Sequence, residues 1–207
     1  MKRKSHSFFT KIITAAAAFL IFTGLTSCVS TPKKQKHKTA SINLTDSGVF
    51  TAEELARYFI SKNPFVNEDY ILNFAQTYIQ EAQAEGINSD IAFAQMCLET
   101  GHLNFGNLVQ PEFHNYCGLG AMDAEHPGEV FPDEKTGIRA HIQHLHAYAT
   151  TEDVSLNQEL VDPRYSWPHK TRHTKTFYEL AGTWAMDMDY GKKIENILQN
   201  ISVLTHQ

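Results

Sequence analysis

The chain has 207 residues, of which 42% are hydrophobic, 11% aromatic and 20% charged. That is enough apolar material for one core and too little length for several domains, and it excludes disorder throughout, a collagen-like repeat and a protein of many membrane spans. The formal net charge of −5 is unevenly placed, because residues 1–50 hold eight Lys and Arg against Asp46 alone, which leaves residues 51–207 at −12. So acidic a domain has no general attraction for nucleic-acid phosphates, whose counterions are displaced by Lys and Arg, and no nucleic-acid partner is expected.

Lys2, Arg3, Lys4 and Lys11 precede an apolar run from Ile12 to Leu25. At 1.5 Å per residue that run reaches about 21 Å, short of a bilayer core of about 30 Å, so it reads as the apolar region of a signal peptide and not as a permanent span. Leu25-Thr26-Ser27-Cys28 then resembles the lipobox of bacterial lipoproteins. That resemblance implies a signal peptide over 1–27, acylation of Cys28, and attachment to a membrane by lipid and not by a helix. The basic stretch Thr31–Thr39 has almost nothing apolar to bury, so residues 28–50 are expected to be a flexible tether, with the folded domain over 51–207.

Within that domain, Thr51-Ala52-Glu53-Glu54 is a capping box ahead of Leu55, Tyr58 and Phe59. Asn67-Glu68-Asp69 opens a second helix, with Ile71, Phe74, Ala75, Tyr78, Ile79 and Ala82 at helical spacing, running to Gly86. Ser89-Asp90 caps a third, which Gly101 would end. Residues 104–137 are rich in Gly and Pro, which predicts loops and a short β-hairpin around Val130-Phe131. A helical stripe returns over Thr136–Ala149, and after a proline-containing loop near Asp162–Pro168 two more helices are predicted, about His173–Ala181 and Tyr190–Leu204. The fold class is mainly α, strictly α+β, with one small β-hairpin lobe.

The chemistry concentrates in Ala94–Gly101. On a helical projection Glu99 lies about 80° from Ile91, at the margin of the apolar face and on the last turn. Negative partial charge at the helix end and adjacent apolar surface both disfavour its ionised form, which suits a general acid working near neutral pH. The alternative for such a terminal residue is to fray into solvent.

Three segments together resemble a known family: Gln95-Met96-x-Leu98-Glu99-Thr100-Gly101, Asn115-Tyr116-Cys117-Gly118-Leu119-Gly120-Ala121, and Thr183-Trp184-Ala185-x-Asp187-x-x-Tyr190-Gly191-x-Lys193-Ile194. They are similar to the signature segments of bacterial glucosaminidases of glycoside hydrolase family 73, the mannosyl-glycoprotein endo-β-N-acetylglucosaminidase-like autolysins, over roughly residues 65–204. The resemblance implies a lysozyme-like helical fold and hydrolysis of the β-1,4 bond after N-acetylglucosamine in peptidoglycan. It assigns Glu99 as general acid and Tyr190 as a tyrosine lining the cleft opposite it. Asn115, Tyr116 and Gly118 fall in the cleft wall, and Trp184 and Asp187 in the third segment. Trp184 suits the C–H face of a sugar, although so large a side chain is more often buried in the core. A conventional glycosidase needs a second carboxylate. Among Asp123, Glu125, Glu129, Asp133 and Glu134, Glu129 beside Val130-Phe131 is the first choice and Glu125 the next. Alternatively the 2-acetamido group of the sugar attacks its own anomeric carbon, with no carboxylate partner required.

Nine histidines lie in residues 51–207, among them His141, His144 and His146 on one predicted helix, but there is no His-Glu-x-x-His, and surface or cleft-rim positions are expected. No metal and no cofactor is expected. Cys97 and Cys117 either pair, as an oxidising compartment allows, or remain two buried thiols, which their well-packed surroundings favour. The expected protein is thus a monomeric, lipid-anchored cell-envelope enzyme, with the outer membrane favoured because Val29 and Ser30 follow Cys28 where an inner-membrane lipoprotein often has Asp. Two rival functions are a lytic transglycosylase and a non-catalytic, peptidoglycan-binding envelope lipoprotein.

Overall fold

A computed structural model describes residues 38–205. The expectations for the signal peptide, for Cys28 and for the tether up to residue 37 lie outside the described residues. The described chain is mainly α and lysozyme-like in class: six α-helices, two 3₁₀ turns and one two-stranded antiparallel sheet.

Three helices start where their capping residues direct. In α1 (Ala52–Lys62) the Thr51 hydroxyl accepts from Glu54 N, and the Glu54 carboxylate accepts from Thr51 N, so both halves of the capping box form. Asn67 caps α2 (Glu68–Glu85), which ends on Gly86 in the left-handed region. Asn88, and not the expected Ser89-Asp90, caps α3 (Ser89–Glu99), because its side chain accepts from Asp90 N and Ile91 N. Every residue of α3 from Ser89 to Cys97 is buried, because α2, α4 (Glu134–Ala149) and α6 (Tyr190–Leu204) surround it along with α1. Its last two residues, Leu98 and Glu99, emerge half-buried.

The structure departs from the sequence expectations in three further places. The folded unit begins earlier than Thr51. Leu44 is fully buried, its N–H donates to Lys175 O, and its carbonyl accepts from Asn88 N at 2.8 Å. Asp90 secures the same strap by accepting from Val49 N and Phe50 N, and Lys38 pairs with Glu54 at 2.6 Å. The predicted helix over His173–Ala181 is replaced by a short α5 (Ser166–Thr171) and a 3₁₀ turn over Phe177–Leu180. The strap is the reason. Asn43 bridges Thr176, and Phe177 N donates to Ile42 O, so backbone that a helix would have used is spent on pairing. The hairpin lies at β1 (Ala121–Asp123) and β2 (His126–Pro127), ahead of Val130-Phe131. Asp123 Oδ1 accepts from Glu125 N and His126 N and fixes the turn there. Phe131 instead packs with Cys117, Leu119 and Ala140 in a small second core.

Candidate active site

Helix α3 carries Glu99 out of the core, and the chain then turns sharply. Thr100 Oγ1 donates to Met96 O and accepts from Leu103 N. His102, Leu103 and Phe105 all hold positive φ, between 50° and 60°, a conformation uncommon outside glycine. His102 N to Cys97 O, Phe105 N to Thr100 O and Asn63 Nδ2 to His102 O keep them there. Residues 105–109 then form one wall of a groove over Glu99.

The opposite wall is the loop 115–120, knitted by Asn115. Its Nδ2 donates to Leu119 O and Glu129 O, and its Oδ1 accepts from Leu119 N at 2.9 Å. Gly118 allows the turn there with φ of +66°, and space stays open where a side chain would stand. The groove consists of two joined hollows of about 450 and 490 Å³, both bordered by Cys117, Gly118 and Trp184. Glu99 lies in the first; Tyr148, Arg164 and Trp167 border the second. Among the described residues, Glu99 is the one carboxylate lining either hollow.

Two donors converge on a single oxygen of that carboxylate. Tyr190 donates its hydroxyl proton to Glu99 Oε1, and the Trp184 indole Nε1–H reaches the same atom at 3.2 Å. Burial pushes the Glu99 pKa up, and these two hydrogen bonds act in the opposite direction. Tyr190 stands on the first turn of α6, where Asp187 builds the entry by accepting from Asp189 N with its side chain and from Tyr190 N with its carbonyl. Gly191 lets that turn approach the 3₁₀ segment closely, since a Cβ there would lie 2.6 Å from Tyr178 Cα. Burial together with the neighbouring Glu99 holds the Tyr190 phenol far above its ordinary pKa, so it stays a donor.

The remaining candidates separate into groove and scaffold. Trp184 is only half-buried, and its ring, backed by His144 and Tyr148 at 5.0 Å, faces the groove as well as the core. Tyr116 lines neither hollow and packs edge-on against Phe74 at 5.0 Å. Asp187 pairs with Lys193 outside the groove. Glu129 pairs with Arg164 at 3.3 Å, and Glu125 is exposed at the hairpin turn; neither lines the hollow that holds Glu99. Cys97 and Cys117 are both free and buried, and burial pushes both thiols well up from their ordinary pKa.

Histidine placement is where the sequence reading fails most. His141 and His146 are buried, not at the surface. His146 Nδ1 meets the Tyr165 hydroxyl, and His144 Nδ1 meets Asp162, each at 2.8 Å. Gln95, one helical turn before Glu99, donates to the Tyr190 hydroxyl at 2.8 Å, a role that its place in the motif does not by itself assign. The signal was present: residues four apart share a helix face, so a buried amide at 95 stands directly beneath an acid at 99. No group of three or more His, Cys, Asp or Glu side chains able to hold a metal occurs among the described residues.

A buried helix thus carries one carboxylate onto a groove bordered by Phe105 and Trp184, in a mainly α, lysozyme-like domain. Residues 75–203 match the glucosaminidase family, mannosyl-glycoprotein endo-beta-N-acetylglucosaminidase, and the chain belongs to that family. An uncharacterized protein of Borreliella burgdorferi is 42% identical over 155 residues, which is 75% of this chain and 74% of that one. No solved structure matches the chain.

Proposed function

We propose that this protein hydrolyses the β-1,4 glycosidic bond after N-acetylglucosamine in peptidoglycan strands, with Glu99 as general acid and the substrate's own acetamido group as nucleophile. The supporting observation is that, among the described residues, Glu99 stands alone as a carboxylate on the groove, with both protein donors on Oε1 and its pKa raised by burial. Neutral Glu99 gives its proton from Oε2 to the glycosidic oxygen as the bond to the anomeric carbon breaks. The acetamido carbonyl oxygen closes on that carbon to form an oxazolinium ion. Water then attacks the same carbon, Glu99 takes its proton, and the ring reopens to the acetamide. Tyr190 and Trp184 stabilise the carboxylate while it is ionised between the two steps. A groove that continues on both sides of Trp184 suits cleavage within a chain.

The test is mass spectrometry of fragments released from purified peptidoglycan. Expected products end in reducing N-acetylglucosamine. Ends of 1,6-anhydro-muramic acid, lighter by one water, would instead establish the transglycosylase, and binding without soluble fragments the non-catalytic lipoprotein.

We also infer that Cys28 carries acyl chains that hold the enzyme in the cell envelope, with the outer membrane favoured; no described helix is long and apolar enough to cross a membrane. Each buried methylene contributes about 0.8 kcal/mol, so more than one chain gives stable anchoring. Cys28→Ser is expected to move the protein from the detergent phase to the aqueous phase on detergent partitioning. Retention in the detergent phase would count against the lipid anchor.

A further inference from the structure

Behind Glu99 runs a line of buried polar groups that the proposed chemistry uses only at its last link. The Tyr78 hydroxyl on α2 meets His141 Nδ1 on α4 at 3.0 Å, and His141 Nε2 meets Gln95 Oε1 on α3 at 3.0 Å. Gln95 Nε2 donates to the Tyr190 hydroxyl at 2.8 Å, and Tyr190 donates to Glu99 Oε1. Tyr78, Gln95 and His141 are completely buried. The line joins four helices, and apart from Gln95 and Glu99 its residues are far apart in sequence.

Each link holds one proton, so the line has two orders. In the first, every donor points toward Glu99: Tyr78 O–H to His141 Nδ1, His141 Nε2–H to Gln95 Oε1, the Gln95 amide to Tyr190, and Tyr190 to Oε1. In the second, every link reverses, and Glu99 spends its own proton on Tyr190. Positions of hydroxyl, amide and imidazole hydrogens follow from the network, and here the far end decides. Among the described residues, His141 is the hydrogen-bond partner of the Tyr78 hydroxyl. In the reversed order that hydroxyl would accept from Nδ1–H, and its own proton would be buried with no acceptor. Charged His141 would do the same. Burial, reinforced by nearby His144, drives its pKa down to about 3, so the ring stays neutral. The other groups against it are the edge of the Tyr78 ring and the Trp184 indole. At the near end Trp184 also donates to Oε1, and a carbonyl oxygen accepts better than a hydroxyl oxygen, so the two donors favour the acidic proton on Oε2.

We propose that Gln95 and His141 are positioning residues that fix the proton order, holding Tyr190 as a donor to Glu99 Oε1 and leaving the acidic proton on Oε2, toward the groove. This rests on Glu99 being the general acid, but the order itself can be measured without substrate. In nitrogen NMR of the wild-type protein, His141 is expected as the neutral tautomer with its proton on Nε2. A proton on Nδ1, or on both nitrogens, overturns the proposal whatever Glu99 does. Gln95→Met then tests the consequence. The thioether fills the buried site but offers Tyr190 no donor where the amide presented one. Nothing then holds the Tyr190 proton toward Glu99. Expected is a fall in kcat of about tenfold or more, with KM unchanged. Wild-type kcat, or a loss confined to KM, overturns the positioning role. If the variant fails to fold, the wild-type tautomer still decides the order.

Discussion

Glu99→Gln is expected to lower reducing-sugar release from purified peptidoglycan by about 10³-fold or more and, at pH 7, to raise the melting temperature. The amide keeps an oxygen where Tyr190 and Trp184 donate, but it has no proton to give the glycosidic oxygen and cannot later take one from water. The stability gain follows from linkage. Burial raises the folded-state pKa of Glu99 above that of the unfolded chain, so the folded protein binds the proton more tightly. Wild-type stability from this group is therefore fully present below the unfolded pKa and is lost as pH rises from there through the folded pKa. The glutamine variant has nothing to ionise and escapes that loss. Melting curves at pH 7 and pH 4 check the sign, because the advantage should be present at the first and shrink toward zero at the second. Retained activity would remove Glu99 from its role, and a variant less stable at pH 7 would contradict the burial cost.

Much of this was legible in the sequence where the deciding interactions are local. Thr51 and Asn67 announced themselves because a cap bonds to its own next turn, whereas the cap of α3 is Asn88, one residue ahead of the expected Ser89-Asp90. Glu99 was legible because its place at a helix end is set by Gly101 close by and by the motif around it. The strap over residues 38–50 was not legible. Its composition is polar, and what holds it is the partners that Leu44 finds at Lys175 and Asn88, far along the chain. The same pairing erased the helix predicted over 173–181. His141 shows the limit most clearly. An imidazole on a helix face looks like surface until Tyr78 and Gln95 arrive to satisfy both of its nitrogens, and no local pattern announces that. Helical periodicity was a weak guide to α3 for a related reason: a helix buried on every side has no polar face to reveal its orientation.

Peptidoglycan whose N-acetylglucosamine has been N-deacetylated is expected to be cleaved about 10³-fold more slowly or worse, whereas Glu129→Gln should stay within about threefold of the wild type. The two results separate the two sources of a nucleophile. A retaining glycosidase with its own nucleophile places two carboxyl groups about 5–5.5 Å apart, and an inverting one separates them by about 6.5–9.5 Å to admit water. Glu129 instead forms an ion pair with Arg164, with both side chains partly exposed, and an exposed pair of that kind contributes about 0–1 kcal/mol. Neutralising it should cost little. Deacetylation removes the carbonyl oxygen that is tethered beside the anomeric carbon, and with it the benefit of a pre-positioned intramolecular reaction. Because the acetamido group and then water attack from opposite faces, the newly released end should appear first as the β-anomer in proton NMR. An initial α-anomer would require direct attack by water and hence a carboxylate base. Loss of activity in Glu129→Gln, together with normal cleavage of the deacetylated polymer, would place the second catalytic group on the hairpin lobe.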